Sequence, residues 1–247
     1  MIRMKTILLK FSGPLQSWGT DSNFEVRHSD LYPSKSALVG LLAASLGYRR
    51  GDDDKISDLA ALDYAVRIDQ KGNLLRDYHV ATKYKPNGTF DRNYVTNRYY
   101  LEDFVFVVAL GHANDDFVEE LAKAVQKPYF QTFMGRRALP LTYDFYLGIV
   151  EQGVTEALEK TDWQASTWYQ KKHKGKIELD VYLDADLLEN DFIQYRKDNV
   201  ISFDQKARTF AYRNETAYKL VIDKLEHDND KQAKSEEEHD AFAALEN

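Results

Sequence analysis

The sequence predicts an α+β fold: a β-α-β-β-α-β core with an inserted β-hairpin and further strands behind it. Three observations predict it. Apolar runs of strand length recur at 4–11, 62–69, 104–110 and 145–150, separated by two stretches of helical periodicity at 35–46 and 115–126. Residues 74–100 offer few core side chains and centre on Lys85-Pro86-Asn87-Gly88, whose Asn-Gly pair is a hairpin turn signal. Beyond about Glu151 the pattern changes to shorter β-leaning runs at 177–183, 200–203 and 209–213. The order of the first six elements is the ferredoxin-like one. The expected units are therefore this core at 1–150 with the hairpin insertion at about 74–100, a small β-rich C-terminal lobe at 151–226, and an acidic tail at 227–247, helical or disordered.

Each element has a local cause. The first strand, Met4–Phe11, runs into a loop with glycine at both ends, Gly13-Pro14-Leu15-Gln16-Ser17-Trp18-Gly19. Ser34 is the candidate N-cap of the first helix and Gly47 lies just past its end. Leu38, Leu41, Leu42 and Leu46 fall at helical spacing, and Gly40, Ala43 and Ala44 allow close packing on a sheet. Gly51-Asp52-Asp53-Asp54 reads as a polar loop. In the second strand Tyr64, Val66 and Ile68 alternate with Ala65 and Arg67. Asp77-Tyr78-His79-Val80 and Tyr94-Val95-Thr96 are the β-leaning ends of the hairpin arm. Phe104–Leu110 is apolar throughout, as a central strand is. Phe117, Val118, Leu121 and Val125 share one face of the second helix, which Pro128 stops. A short helix is expected at Val154–Glu159.

Composition narrows the function. The chain has 247 residues, 43% hydrophobic, enough to bury a sizeable core. It has no cysteine, which excludes disulfides and thiolate zinc sites. No signal peptide and no apolar stretch of spanning length are seen, so a cytoplasmic protein without membrane contact is expected. The formal charge of −7 speaks weakly against nucleic acid, because 227–247 alone hold seven acids and two lysines. The histidines are scattered, with no His-x-x-x-His pair, and Asp52-Asp53-Asp54 reads as a solvated turn. No metal and no cofactor are expected.

Several motifs occur in a fixed order: Gly13 to Gly19, Pro33-Ser34-Lys35-Ser36, Leu41-Leu42-Ala43-Ala44-Ser45-Leu46-Gly47, Asp77-Tyr78-His79, Arg98-Tyr99-Tyr100-Leu101 and Gly135-Arg136-Arg137. In this order and spacing the chain resembles the CasD family of the type I-E CRISPR Cascade complex. The resemblance runs from Lys5 to about Val150 and continues more loosely to Arg213, through Ile201-Ser202-Phe203-Asp204 and Arg208-Thr209-Phe210-Ala211-Tyr212-Arg213. It implies an RNA-recognition (RRM/RAMP) fold with a protruding thumb. It implies a subunit that grips the 5′ handle of the crRNA and caps a helical backbone of repeated subunits, the thumb pressing where handle meets spacer. The implied partners are the backbone subunit and the large PAM-reading subunit, with target DNA met only indirectly. Such members do not cut RNA in type I-E, whereas in a sister subtype the related protein is itself the processing endoribonuclease.

The residues themselves supply candidates, each with a structural alternative. A polar loop followed by a helix N-terminus presents N–H groups and hydroxyls to a phosphate, so Ser34, Lys35 and Ser36 are candidate RNA contacts; the alternative is an N-cap beside a surface lysine. The P-loop pattern Gly-x-x-x-x-Gly-Lys-Ser is absent, which excludes that route to nucleotide hydrolysis. Arg136 and Arg137 suit bidentate phosphate pairing, or else structural ion pairs. Gln16 and Ser17 are candidate RNA hydrogen-bonders, Trp18 a lid on the core, and Arg27 a phosphate contact or a plain surface residue. The arm interleaves Arg76, Lys83, Lys85, Arg92 and Arg98 with Tyr78, Tyr84, Phe90, Tyr94, Tyr99 and Tyr100, a pattern suited to single-stranded RNA; half of these rings are expected to be packing. Tyr78, Arg92 and Arg98 are the candidates chosen from it, with His79 as an RNA contact or thumb anchor. The alternative is a metal-independent endoribonuclease using His79, Lys83 and a tyrosine, Tyr48 or Tyr78, as acid, base and phosphate cation.

Overall fold

The computed structural model describes residues 4–20 and 25–223. In chain order the strands are β1 (Lys5–Phe11), β2 (Leu15–Gln16), β3 (Val26–Arg27), β4 (Asp63–Gln70), β5 (Asn73–Tyr84), β6 (Phe90–Glu102), β7 (Val105–His112), β8 (Tyr146–Val150), β9 (Lys176–Asp184), β10 (Gln194–Ser202) and β11 (Thr209–Asp223). The helices are α1 (Lys35–Leu46), α2 (Asp53–Ala60), α3 (Asp115–Gln126), α4 (Val154–Lys160) and α5 (Thr167–Lys172). The acidic tail expected at 227–247 lies outside the described residues.

Seven strands form one sheet in the order β10-β11-β9-β4-β7-β1-β8, antiparallel at every step. β7 lies between β1 and β4, and its residues Val105 to Leu110 are all buried, as a continuous apolar run in a central strand must be. α1 and α3 cover one face, with Leu38, Leu42, Val118, Leu121 and Val125 packed on Ile7, Leu9, Val66, Phe106 and Val108. α4 covers part of the other face, where Val154, Ala157 and Leu158 meet Leu8, Ala65, Val107 and Val181. Each of these large side chains contributes roughly 1.5–3 kcal/mol on burial.

β9, β11 and β10 join the outer edge of β4, so residues after 150 continue the same sheet. β11 is the longest strand, at 15 residues, because its first part pairs β10 and its second part pairs β9. β5 and β6 pair along their whole length from Asn73↔Glu102 to Tyr84↔Phe90. Lys85 N donates to Thr89 O at 2.8 Å and Gly88 N to Lys85 O at 2.9 Å, with Gly88 at φ 80°, so the Asn-Gly turn sits at the tip. β2 and β3 add to the base of β6, β3 in parallel register at Val26↔Asn97.

One local expectation differs. The acidic stretch at 52–54 does not stay a loop but opens α2, whose Ile56 and Leu59 are buried. Asp53 and Asp54 in its first turn complement the helix dipole.

Candidate nucleic-acid interface

The loop after β1 is fixed by its own polar side chains. Trp18 is buried edge-on against Phe11, with centroids 5.2 Å apart, and its Nε1 donates to Gln16 Oε1 at 3.0 Å. Gln16 Nε2 in turn donates to Phe104 O at 2.8 Å. Trp18 is thus the core lid its sequence suggested, and Gln16 is fully buried and spends its amide inside the protein.

The loop at 133–140 docks on that turn. Ser17 N donates to Met134 O at 3.2 Å and Met134 N to Leu139 O at 2.8 Å. Gly135 sits at φ 81°, and a Cβ there would fall 1.6 Å from Ser17 O, so only glycine lets the two loops touch. Arg136 then braces three elements. Its Nη2 donates to Arg27 O and Tyr99 O, both at 3.2 Å, and its guanidinium lies 4.2 Å from the Tyr100 ring centroid. Its Nη1 is buried without a hydrogen-bond partner.

Between these loops, α1 and the β10–β11 turn runs a cleft of about 760 Å³. Its lining carries Arg27, Arg49, Arg50, Arg136 and Arg208 together with His28, and among the described residues it contains no aspartate or glutamate. His28 stacks on Tyr99 at 5.5 Å. Gly40 and the small residues beside it open the α1 surface, with Phe203 at its edge 3.6 Å from where a Gly40 Cβ would stand. Tyr48 lies at the C-terminal end of α1, and partial burial pushes its hydroxyl pKa up. An arginine-lined concavity without carboxylates is a site for a polyanion.

Of the candidates from sequence, Ser17, Arg27, Ser34, Ser36 and Arg136 line this cleft. Ser34 also caps α1, accepting from Ala37 N at 3.3 Å. Lys35 turns elsewhere: its Nζ meets Asp184 at 2.8 Å, and its backbone N–H donates to Asp198 at 2.9 Å. The N-terminus of α1 is therefore complemented by a carboxylate of the protein itself, where a phosphate was expected. Asp198 and Asp184 belong to a buried network with Arg196, Arg213 and Glu215. Arg196 also reaches Asp30 at 3.1 Å, tying the segment that carries Arg27 and His28 to the C-terminal strands. Arg137 is exposed outside the cleft lining.

The hairpin has two faces: Lys83, Arg92 and Arg98 share one with Tyr94 and Tyr100, and Arg76 stands on the other with Tyr99. By register, Lys83 with Arg92, His79 with Thr96, Asp77 with Arg98, and Leu75 with Tyr100 share one face. Leu74, Tyr78, Val80, Tyr84 and Phe90 stand on the other, and Tyr78 is 61% exposed. Because Arg136 packs over Tyr100, the basic face starts where the cleft ends. His79 Nδ1 and Arg98 Nε are buried without a hydrogen-bond partner. Lys83 pairs with Asp91 at 3.2 Å, and Arg92 lies 5.2 Å from the Tyr94 ring.

The proposed catalytic set is not assembled. His79 and Lys83 are four residues apart on β5, about 13 Å at the strand rise, and neither lines the cleft that Tyr48 lines. Among the described residues no three His, Asp or Glu side chains gather to hold a metal ion, and no helix is long and apolar enough to cross a membrane. Sequence reading passed over His28, Arg49, Arg50 and Arg208 as site residues. The available signal was the Arg49-Arg50 pair just past Gly47, where α1 ends.

Comparison with known proteins identifies the family. A family model described as CRISPR-associated protein (Cas_Cas5) matches residues 6–218. The chain is 34% identical over 157 residues to the CRISPR system Cascade subunit CasD of Escherichia coli (strain K12), covering 58% of this chain and 70% of that protein. A chain solved in a CRISPR RNA-guided surveillance complex superposes with TM-score 0.70 at 27% identity, covering 89% of this chain and 92% of the other. A chain from a crystal structure of a Cas protein superposes with TM-score 0.64 at 34% identity, covering 87% and 94%. With the matched region spanning nearly the whole described sheet, the chain belongs to the CRISPR-associated Cas5 family.

Proposed function

We propose that this chain is the non-catalytic RNA-binding subunit of a type I-E Cascade surveillance complex, holding the 5′ handle of the crRNA and capping the backbone filament. The observation that carries the reading is the cleft with five arginines and, among the described residues, no carboxylate, in a chain of formal charge −7. The family and the named relative, a Cascade subunit, support the setting. In this reading residues 1–150 are a ferredoxin-like RAMP unit, and their strand order β8-β1-β7-β4 supports that assignment. Residues 151–226 are the β-rich addition. The β5–β6 hairpin is the thumb, its basic face carrying Arg92, Arg98 and His79 along the RNA as it leaves the cleft.

Arginine suits the task because its planar fork pairs bidentately with phosphate, while Tyr99, Tyr100 and Phe203 supply faces beside it. Ser17, Ser34 and Ser36 offer hydroxyls at the same wall. Arg136 organises the site by tying Arg27, Tyr99 and Tyr100 together at the cleft wall; Arg137 meets the RNA from the loop outside the cleft. The partners are the crRNA, the backbone subunit and the large PAM-reading subunit, in the cytoplasm.

The test is incubation of the purified chain with labelled repeat RNA in EDTA, resolved on native and denaturing gels. The expected result is shifted, uncut RNA. Cleaved RNA that stays intact with His79→Ala would replace this reading with a metal-independent endoribonuclease.

A further inference from the structure

A second cationic surface lies away from the cleft. Residues 167–176, Thr-Trp-Tyr-Gln-Lys-Lys-His-Lys-Gly-Lys, hold four lysines and no acid in a chain of formal charge −7. The inner side of this segment is firmly held. Trp163 and Ala165 are buried against Leu179, with Tyr169 and Ile177 packed on them. Tyr169 meets Trp163 edge-on at 6.1 Å and stacks on His173 at 4.3 Å. Gln170 Nε2 donates to Ala165 O at 2.7 Å. Leu179 stands on the same face of β9 as Val181 and Leu183, the face that α4 covers, so α5 lies across the sheet from α1 and its cleft.

The outer side is left open. Lys171, Lys172 and Lys174 are exposed, and none forms an ion pair with a carboxylate among the described residues. Two acids close by are already engaged: Asp180 holds Lys71 at 2.5 Å and Lys219 at 2.6 Å, and Asp69 holds Arg67. Glu178 borders the adjoining depression, and Lys176 faces Asp223 across the β9–β11 ladder, so the uncompensated charge is that of the three lysines before Gly175. Trp168 is 49% exposed, with the Lys172 ammonium 4.8 Å from its ring centroid. The dipole of α5 accounts for lysines in its last turn, but not for Lys174 beyond it, nor for an exposed tryptophan beside them.

The chemistry differs from that of the cleft. Lysine is a strongly hydrated point charge on a flexible stem, suited to following phosphates without reading bases. The surface is an exposed helix flank rather than a groove, and it offers one ring rather than the series on which a single strand stacks. A rigid, densely charged duplex meets such a patch without unstacking. We propose that Lys171, Lys172 and Lys174, with Trp168 beside them, form a sequence-independent contact for the phosphate backbone of double-stranded DNA. This contact goes beyond the RNA reading and does not depend on it.

The test uses the full chain and a fluorescent DNA duplex of arbitrary sequence, with anisotropy followed between about 50 and about 200 mM salt. The triple variant Lys171→Gln, Lys172→Gln, Lys174→Gln is expected to lower the slope of log affinity against log salt by about 0.9 per lost contact, about 2.7 in all. Its melting temperature and its binding of repeat RNA should stay at the parent values. Unchanged duplex affinity and slope in the triple variant would overturn the proposal. So would loss of duplex binding when only the cleft arginines are replaced, which would make the cleft the sole polyanion site. Retained duplex binding with lost retention on phosphatidylserine vesicles would assign the lysines to an anionic membrane, and overturn it as well.

Discussion

Replacing Arg27, Arg49, Arg50 and Arg208 together by alanine tests the cleft while sparing the fold. All four are exposed, all line the cleft, and none forms an ion pair among the described residues. Their contacts with the described residues are slight. Arg27 lends its carbonyl to Arg136, Arg49 its backbone N–H to Asp52, and Arg208 lies 5.1 Å from the Phe210 ring. Surface changes of this kind cost at most about 0.5 kcal/mol each. On single-stranded RNA each phosphate contact adds about 0.7 to the salt slope, so four contacts add about 2.8. Between about 50 and about 200 mM salt, a fourfold change, the parent's affinity should therefore fall about 50-fold more than the variant's. Anisotropy titrations with labelled handle RNA across that range, beside thermal melts of both proteins, measure it. Equal slopes for two proteins that melt alike would refute the assignment of the cleft to RNA.

Three further perturbations probe the frame around the site. Gly135→Ala forces a Cβ to 1.6 Å from Ser17 O at a positive φ; we expect a loss of about 1–3 kcal/mol in urea unfolding, with weaker RNA binding, as the two loops part. An unaltered midpoint would contradict the close approach. Arg213→Met strands Asp184, Asp198 and Glu215, which Arg213 holds in the buried network. The expected cost is about 3–5 kcal/mol, and a change under about 1 kcal/mol would mean the carboxylates are otherwise satisfied. Asp63 has its pKa raised, first by burial and then by Asp186 and Asp184. A carboxyl whose folded pKa lies above its unfolded value opposes folding at neutral pH, and the penalty fades as pH falls through the folded pKa. Asp63→Asn should accordingly melt higher than the parent at pH 7, the gap closing in acid; a lower melting temperature at pH 7 would contradict this sign.

The parts of the molecule legible in the sequence are those whose cause is local. Ser34 and Gly47 bracket α1 because a cap and a left-handed turn are properties of a few adjacent residues. The buried β7 and the Asn-Gly turn follow likewise from short patterns. The cleft was only half legible. Arg49 and Arg208 are far apart in sequence and meet only because β10 and β11 fold back beside α1. Lys35 shows the same limit from the other side. Its neighbours Ser34 and Ser36 do line the cleft, but a carboxylate 163 residues away occupies the helix start.

That carboxylate also shows why net charge is a weak guide to the cleft. Four acids of the described chain are turned inward: Asp184, Asp198 and Glu215 are buried around Arg196, Arg213 and Lys35, and Asp69 around Arg67. Seven more acids lie in 227–247, outside the described strands. With these carboxylates held against interior arginines, the described lining of the cleft has none, and its exposed arginines are left without an acidic partner there. The field at the site is set by where the acids are placed and not by how many the chain has. The formal charge of −7 and the RNA-phosphate site proposed above are therefore compatible, because the buried ion pairs that hold α1 against the C-terminal strands keep those carboxylates off the surface it presents.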